Sequence, residues 1–192
     1  MQLFFGKINR SSGFTLVETL VAVAIFTVSL LGLMSVLGQG VSDTNYAKQK
    51  IIATYLAQEG IEYVRNMRDT FVLFDAADGQ TGWNNYITKL SSSGCDSANG
   101  CSFDPASIDY SNTEKPMVSI ELTACDASCP QLLYDATSGT YAYAGTTSGF
   151  TRKISISSVS ADEIRISSTV YWQQASGSQN VTFSESLFNW IQ

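Results

Sequence analysis

No charged residue lies between Glu18 and Asp43, and from Thr19 to Leu37 the chain is mostly apolar. Coiled at about 1.5 Å per residue, those nineteen residues span roughly 28 Å, close to the hydrocarbon thickness of a bilayer. A segment of this kind constrains the fold, because it must be buried in lipid or against other apolar helices. Lys7 and Arg10 lie ahead of it in residues 1–13, which carry no acid. That charge pattern keeps the amino terminus in the cytoplasm and sends the rest across the membrane. A secretory signal peptide would end in small residues of the A-x-A kind, which "GLMSVLGQG" imitates poorly. A plain signal anchor explains everything except Glu18. A carboxylate costs on the order of 2 to 3 kcal/mol at the bilayer centre and less near its edge, so it calls for a partner.

Beyond the apolar run about 150 residues remain, enough for one core. The chain has a formal charge of −6, with no histidine. An acidic surface argues against an extended nucleic-acid footprint. The missing histidine removes the commonest general base and metal ligand. No nucleophile elbow, phosphate-cradling glycine loop or convergent carboxylate pair stands out, so the expectation is no enzyme, no metal and no cofactor.

The run "GFTLVE" resembles the processing and assembly motif of type IV prepilins and type II secretion pseudopilins. The basic leader, Gly13, Phe14, Glu18 and the charge-free helix follow in that family's order. The resemblance implies cleavage after Gly13 by a prepilin peptidase and N-methylation of Phe14. It also implies an assembly role for Glu18, whose carboxylate would neutralise the amine of a neighbouring subunit's Phe14 within a bundle of apolar helices. The alternative is an acid placed at a helix N-terminus for the macrodipole. The implied organisation is a leader over 1–13, a transmembrane and assembly helix over 14–41, and an extracytoplasmic head over 42–192. Implied partners are other pilin subunits, the peptidase, the inner-membrane assembly platform and, before assembly, membrane lipid. The precursor would sit in the inner membrane as a single-pass protein, and the product in a surface pilus or a periplasmic pseudopilus. "TLVETLVAVAIF" is more similar to minor pilins than to the major-pilin pattern. With residues 1–13 removed, nine basic face seventeen acidic side chains, a balance of −8 that argues further against nucleic acid.

Apolar residues at Ile51, Ile52, Tyr55, Leu56, Tyr63, Val64, Met67 and Phe71 recur at helical spacing and predict that the helix continues to about 69, with this stripe on a sheet. Gly32, Gly38 and Gly40 weaken it at the membrane exit. Residues 70–116 show no sustained period and read as a variable loop rich in turn formers. Asp75 and Asp78 beside Gly79 miss the spacing of a calcium loop and read as a solvated turn. From Met117 to the end the pattern is antiparallel strands: "MVSIELTA" alternates, a hairpin turns at Ser138-Gly139, and three runs follow, parted by "SADE" and "ASGS". The fold class is therefore α+β and pilin-like, a long amino-terminal helix on an antiparallel sheet.

Cys95, Cys101, Cys125 and Cys129 lie in an exported, Ser/Gly-rich region, which favours two disulfides over a zinc site. Two local bridges and two cross-links between loop and sheet turn both remain open. No cysteine follows Cys129, so receptor roles tied to a carboxy-terminal disulfide loop do not carry over. Trp83, Tyr86, Tyr141 and Tyr143 could stack on bases or sugars, helped by Lys89, Lys115, Arg152 and Lys153; core packing is their alternative use.

Overall fold

The computed structural model describes residues 13–75, 78–109, 111 and 116–190. Residues 1–12 of the leader, with Lys7 and Arg10, and Lys115 lie outside them. The chain divides into two units, Met1–Asn45 and Tyr46–Gln192. Helix α1 (Leu16–Thr70) contributes to both. In the first unit it is the one helix of the described residues, unbroken through Gly32, Gly38 and Gly40. Glycine costs up to about 1 kcal/mol per site against alanine, which the surrounding helix formers outweigh here. Thr27 and Ser29 return their hydroxyls to the carbonyls of Ala24 and Ile25, so neither brings an open donor to the apolar surface.

The second unit is the carboxy-terminal half of α1 laid on a seven-stranded antiparallel sheet. The strands are β1 (Cys101–Asp104), β2 (Glu121–Ala124), β3 (Gln131–Asp135), β4 (Thr140–Ala142), β5 (Thr146–Ser160), β6 (Glu163–Gln174) and β7 (Gly177–Phe188). β6 runs between β5 and β7. The other edge of β5 is shared: β3 pairs with its residues Thr146–Thr151 and β1 meets it at Ile154. Alternate residues of the long strands, among them Ile154, Ile166, Val170, Trp172 and Leu187, are buried under the helix, and serines and threonines take the other face.

The face α1 gives to the sheet differs from the expected stripe. Leu56, Val64, Met67 and Phe71 are buried, but Ile51 and Tyr55 are 56% and 68% exposed. The closest approach is built on Ala53, Ala57 and Gly60, all fully or nearly buried, with Ile61 beside them. Small residues bring the helix axis nearer the strands, and a count of large apolar residues passes over them.

The segment 70–116 is also more ordered than its composition suggests. After a π-helical turn at Phe71–Asp75, helix α2 runs from Gly79 to Ser92. Asp78 is its N-cap, accepting from Thr81 N–H at 2.7 Å, and those bonds hold its carboxyl below the usual range. Trp83, Tyr86 and Leu90 recur on one face and are buried, and Trp83 Nε1 donates to Ala161 O at 2.9 Å, fixing α2 on the β5–β6 turn. Strand β1 lies in the expected loop too, where it pairs with β2. "PMVS" forms a 3-10 turn (Pro116–Ser119), so β2 begins only at Glu121.

One cation is buried between helix and sheet. Arg152 on β5 is 1% exposed; its Nη1 donates to Glu59 Oε2 at 2.7 Å and to Leu56 O at 3.3 Å, and its guanidinium lies 4.1 Å from the Phe103 ring centre. Removing one partner of a buried pair leaves the other uncompensated. Glu59→Ala should therefore cost about 3 kcal/mol, the low end for such losses because the Glu59 side chain is 36% exposed. The double variant Glu59→Leu with Arg152→Met should recover most of it. Thermal unfolding of the full chain in detergent measures both, and a double variant no better than the single would defeat the buried-charge account.

Candidate functional site

Two places hold the residues singled out from the sequence. At the amino terminus, Gly13 precedes the helix, and nothing lies within 4 Å of where a Cβ on it would sit. Phe14 is 79% exposed. Thr15 Oγ1 accepts from Glu18 N–H at 3.3 Å, and Thr15 O accepts from Thr19 N–H at 3.2 Å, so Thr15 caps the helix. Glu18, exposed, stands in the first turn. The pattern Thr15-x-x-Glu18 has capping-box spacing, a signal that was open to sequence reading and that makes Thr15 part of this site.

The large apolar side chains from Leu16 to Leu37, Val17, Leu20, Ile25, Phe26, Leu31 and Leu33 among them, are all more than 40% exposed. The helix is long and apolar enough to cross a membrane, and among the described residues its most apolar window is not buried. A surface like this is unstable in water and is covered either by lipid or by other apolar helices. Glu18 stands at the head of this exposed apolar surface.

In the second unit the cysteines form two local bridges, Cys95–Cys101 and Cys125–Cys129, with Cα atoms 4.5 and 4.6 Å apart. The bridges adjoin one another. Cys101 is paired in register with Ala124, Cys125 N–H donates to Gly100 O at 2.9 Å, and Cys129 Sγ lies 3.8 Å from Cys101 O. Gly100 has φ +68°, and an added Cβ would strike Ile154 O, so only glycine lets the first loop close onto β5.

The aromatics considered for stacking are placed differently from one another. Trp83 and Tyr86 are core residues, and burial pushes the Tyr86 phenol well up from its usual range. Tyr141 and Tyr143 are half-buried against a cluster of Leu132, Phe150 and Trp172. Of the basic candidates, Arg152 is committed to Glu59, and Lys153 Nζ donates to Ala98 O at 3.4 Å. Trp83 and Tyr86 are thus taken up in the core, and Arg152 and Lys153 are bonded within the chain. Among the described residues no group of three or more acidic or sulfur side chains is arranged to hold a metal.

Comparison with known proteins agrees with the geometry of the amino terminus. The family of the prokaryotic N-terminal methylation motif matches residues 8–34. The match supports a type IV prepilin or pseudopilin, and with it a membrane-anchored precursor processed by prepilin peptidase and assembled with other pilins. Neither the curated proteins nor the solved structures contain a match to the chain.

Proposed function

We propose that the chain is a structural, non-enzymatic subunit of a type IV pilus, of the minor kind, cleaved after Gly13, methylated on Phe14 and polymerised through its amino-terminal helix. The observation that carries this reading is the order of Gly13, Phe14 and Glu18 at the head of a helix whose large apolar side chains are exposed among the described residues. In lipid that surface needs no other cover. In a filament it is covered by the same segment of other subunits, and the exchange of lipid for helix lets the subunit leave the membrane. The head then stays in the extracytoplasmic space, where its two disulfides are stable. A type II secretion pseudopilin is the second reading, favoured by the same residues, since the two share this amino terminus.

Intact-mass spectrometry of sheared surface filaments tests the proposal. The expected species begins at a methylated Phe14; a chain still beginning at Met1 and confined to the membrane would overturn it. Recovery only from the periplasm of cells that secrete through a type II system would favour the second reading. Gly13→Ala isolates the peptidase step. A Cβ at Gly13 meets nothing within 4 Å, so the substitution leaves the chain's own packing alone. We expect the leader to stay attached in at least nine-tenths of the protein on an immunoblot. A band of mature size in that variant would count against processing at this position.

A further inference from the structure

Both disulfide loops converge on one groove. Asn99 comes from the loop closed by Cys95–Cys101 and Ser128 from that closed by Cys125–Cys129. Beneath them β5 supplies Thr151 and Lys153, β6 supplies Tyr171, and the start of β7 supplies Ser178. Thr151 and Tyr171 are register partners and, like Lys153, alternate with the buried residues Arg152 and Trp172, so they occupy the face of the sheet turned away from α1. The groove measures about 340 Å³, within the range that holds small molecules.

The chemistry of its lining is narrow. Along the same face hydroxyls satisfy each other, Ser167 with Ser184 at 2.8 Å and Thr169 with Thr182 at 2.9 Å. At the groove they do not: among the described residues, the side chains of Asn99, Ser128, Thr151, Tyr171 and Ser178 make no hydrogen bond within the chain, and all five are half-buried or exposed. No lining residue is acidic, so a cation finds no counter-charge. An anion finds one ammonium, already donated to Ala98 O, in a chain of formal charge −6. A wholly apolar ligand would leave five polar side chains desolvated and unpaired. What fits is a neutral molecule bearing several hydroxyls, each able to donate and accept, with a C–H face to lie on the tyrosine ring.

The geometry points to a binding site for a neutral saccharide, held by Asn99, Ser128, Thr151 and Ser178 and stacked on Tyr171. The site belongs to the head alone and does not depend on filament assembly. Its two walls are loops that the disulfides shape, so the pocket is a product of the oxidising compartment in which the head folds.

The full chain in detergent micelles, applied to an array of neutral galactose, mannose and N-acetylglucosamine oligosaccharides with sialylated and sulfated members alongside, tests the assignment. Binding to neutral members is expected, with at least tenfold loss in Tyr171→Ala and little loss in Tyr171→Phe. Ser178→Trp, a change at an exposed residue, should block the groove and abolish binding while the thermal unfolding midpoint stays unchanged. Retention of only acidic sugars, no binding to any member, or binding that survives both Tyr171→Ala and Ser178→Trp would each overturn the site.

Discussion

Replacing Gly60 with leucine should lower the unfolding midpoint of the head by roughly 6 to 12 °C, the equivalent of about 3 kcal/mol in a unit of this size. A Cβ at Gly60 would contact Ser168 Oγ, come within 3.0 Å of Ile154 Cδ1 and lie 3.2 Å from Arg152 Cδ. Those three atoms sit on two neighbouring strands, and Arg152 is fixed by its bond to Glu59. The helix can make room only by moving off the sheet, and Ala53 and Ala57 would lose their contacts with it. Gly60→Ala is the informative intermediate. Helix propensity alone would stabilise it by up to about 1 kcal/mol, whereas the crowding opposes it. Ser168 Oγ can rotate away, so a loss of about 1 kcal/mol is expected for alanine and the full loss for leucine. Gly38 supplies the control, because nothing lies within 4 Å of its added Cβ. Circular dichroism of the full chain in detergent reads all three variants. A Gly60→Leu midpoint equal to that of the unsubstituted chain would show that α1 does not bind the sheet through this contact.

The elements that sequence made legible are those whose signal is the spacing of large apolar residues or the absence of charge. The helix head at "GFTLVE", the hairpin at Ser138-Gly139 and the long strands β5 to β7 are of this kind, and the structure has each of them. What escaped depends on small or polar residues. The true contact face of α1 runs through Ala53, Ala57 and Gly60, whose value is their lack of bulk. Helix α2 is written in "GQTGWNNYITKLSS", where glycine, asparagine and serine hide the helical spacing of Trp83, Tyr86 and Leu90. Tertiary burial of those three residues outweighs the turn-forming composition around them. The pairing of the cysteines is local, Cys95–Cys101 and Cys125–Cys129, a choice that spacing alone does not define. The buried Arg152 belongs to the same class: a charge on a strand reads as surface until its Glu59 partner on a distant helix is known. At the amino terminus the position is reversed. The motif is written in the sequence, and the geometry adds the Thr15 cap and the exposure of the apolar side chains among the described residues.

Exchange of Glu18 for alanine should leave cleavage after Gly13 intact and reduce incorporation into filaments at least a hundredfold. The reasoning is electrostatic. Cleavage would create a protonated amine on Phe14, and packing of the apolar helices would carry that amine out of water. Leaving one member of such a pair uncompensated costs about 3 kcal/mol or more, and each 1.4 kcal/mol is a factor of ten in an equilibrium. Glu18→Gln should behave nearly as badly, since it keeps the shape and a hydrogen-bonding oxygen but not the charge. The competing use of Glu18 is local, as the acid of the first helical turn beside the Thr15 cap. Thr15→Ala separates the two. It removes the cap, worth about 1 kcal/mol, and leaves the carboxylate in place. If Glu18 serves the helix end alone, Thr15→Ala and Glu18→Ala should impair assembly to the same small degree. If it serves the contact between subunits, Thr15→Ala should assemble within a few-fold of the unsubstituted chain while Glu18→Ala accumulates, processed, in the membrane. Quantitative immunoblots of sheared filament and membrane fractions decide between them, and normal incorporation of Glu18→Ala would remove the pairing argument altogether.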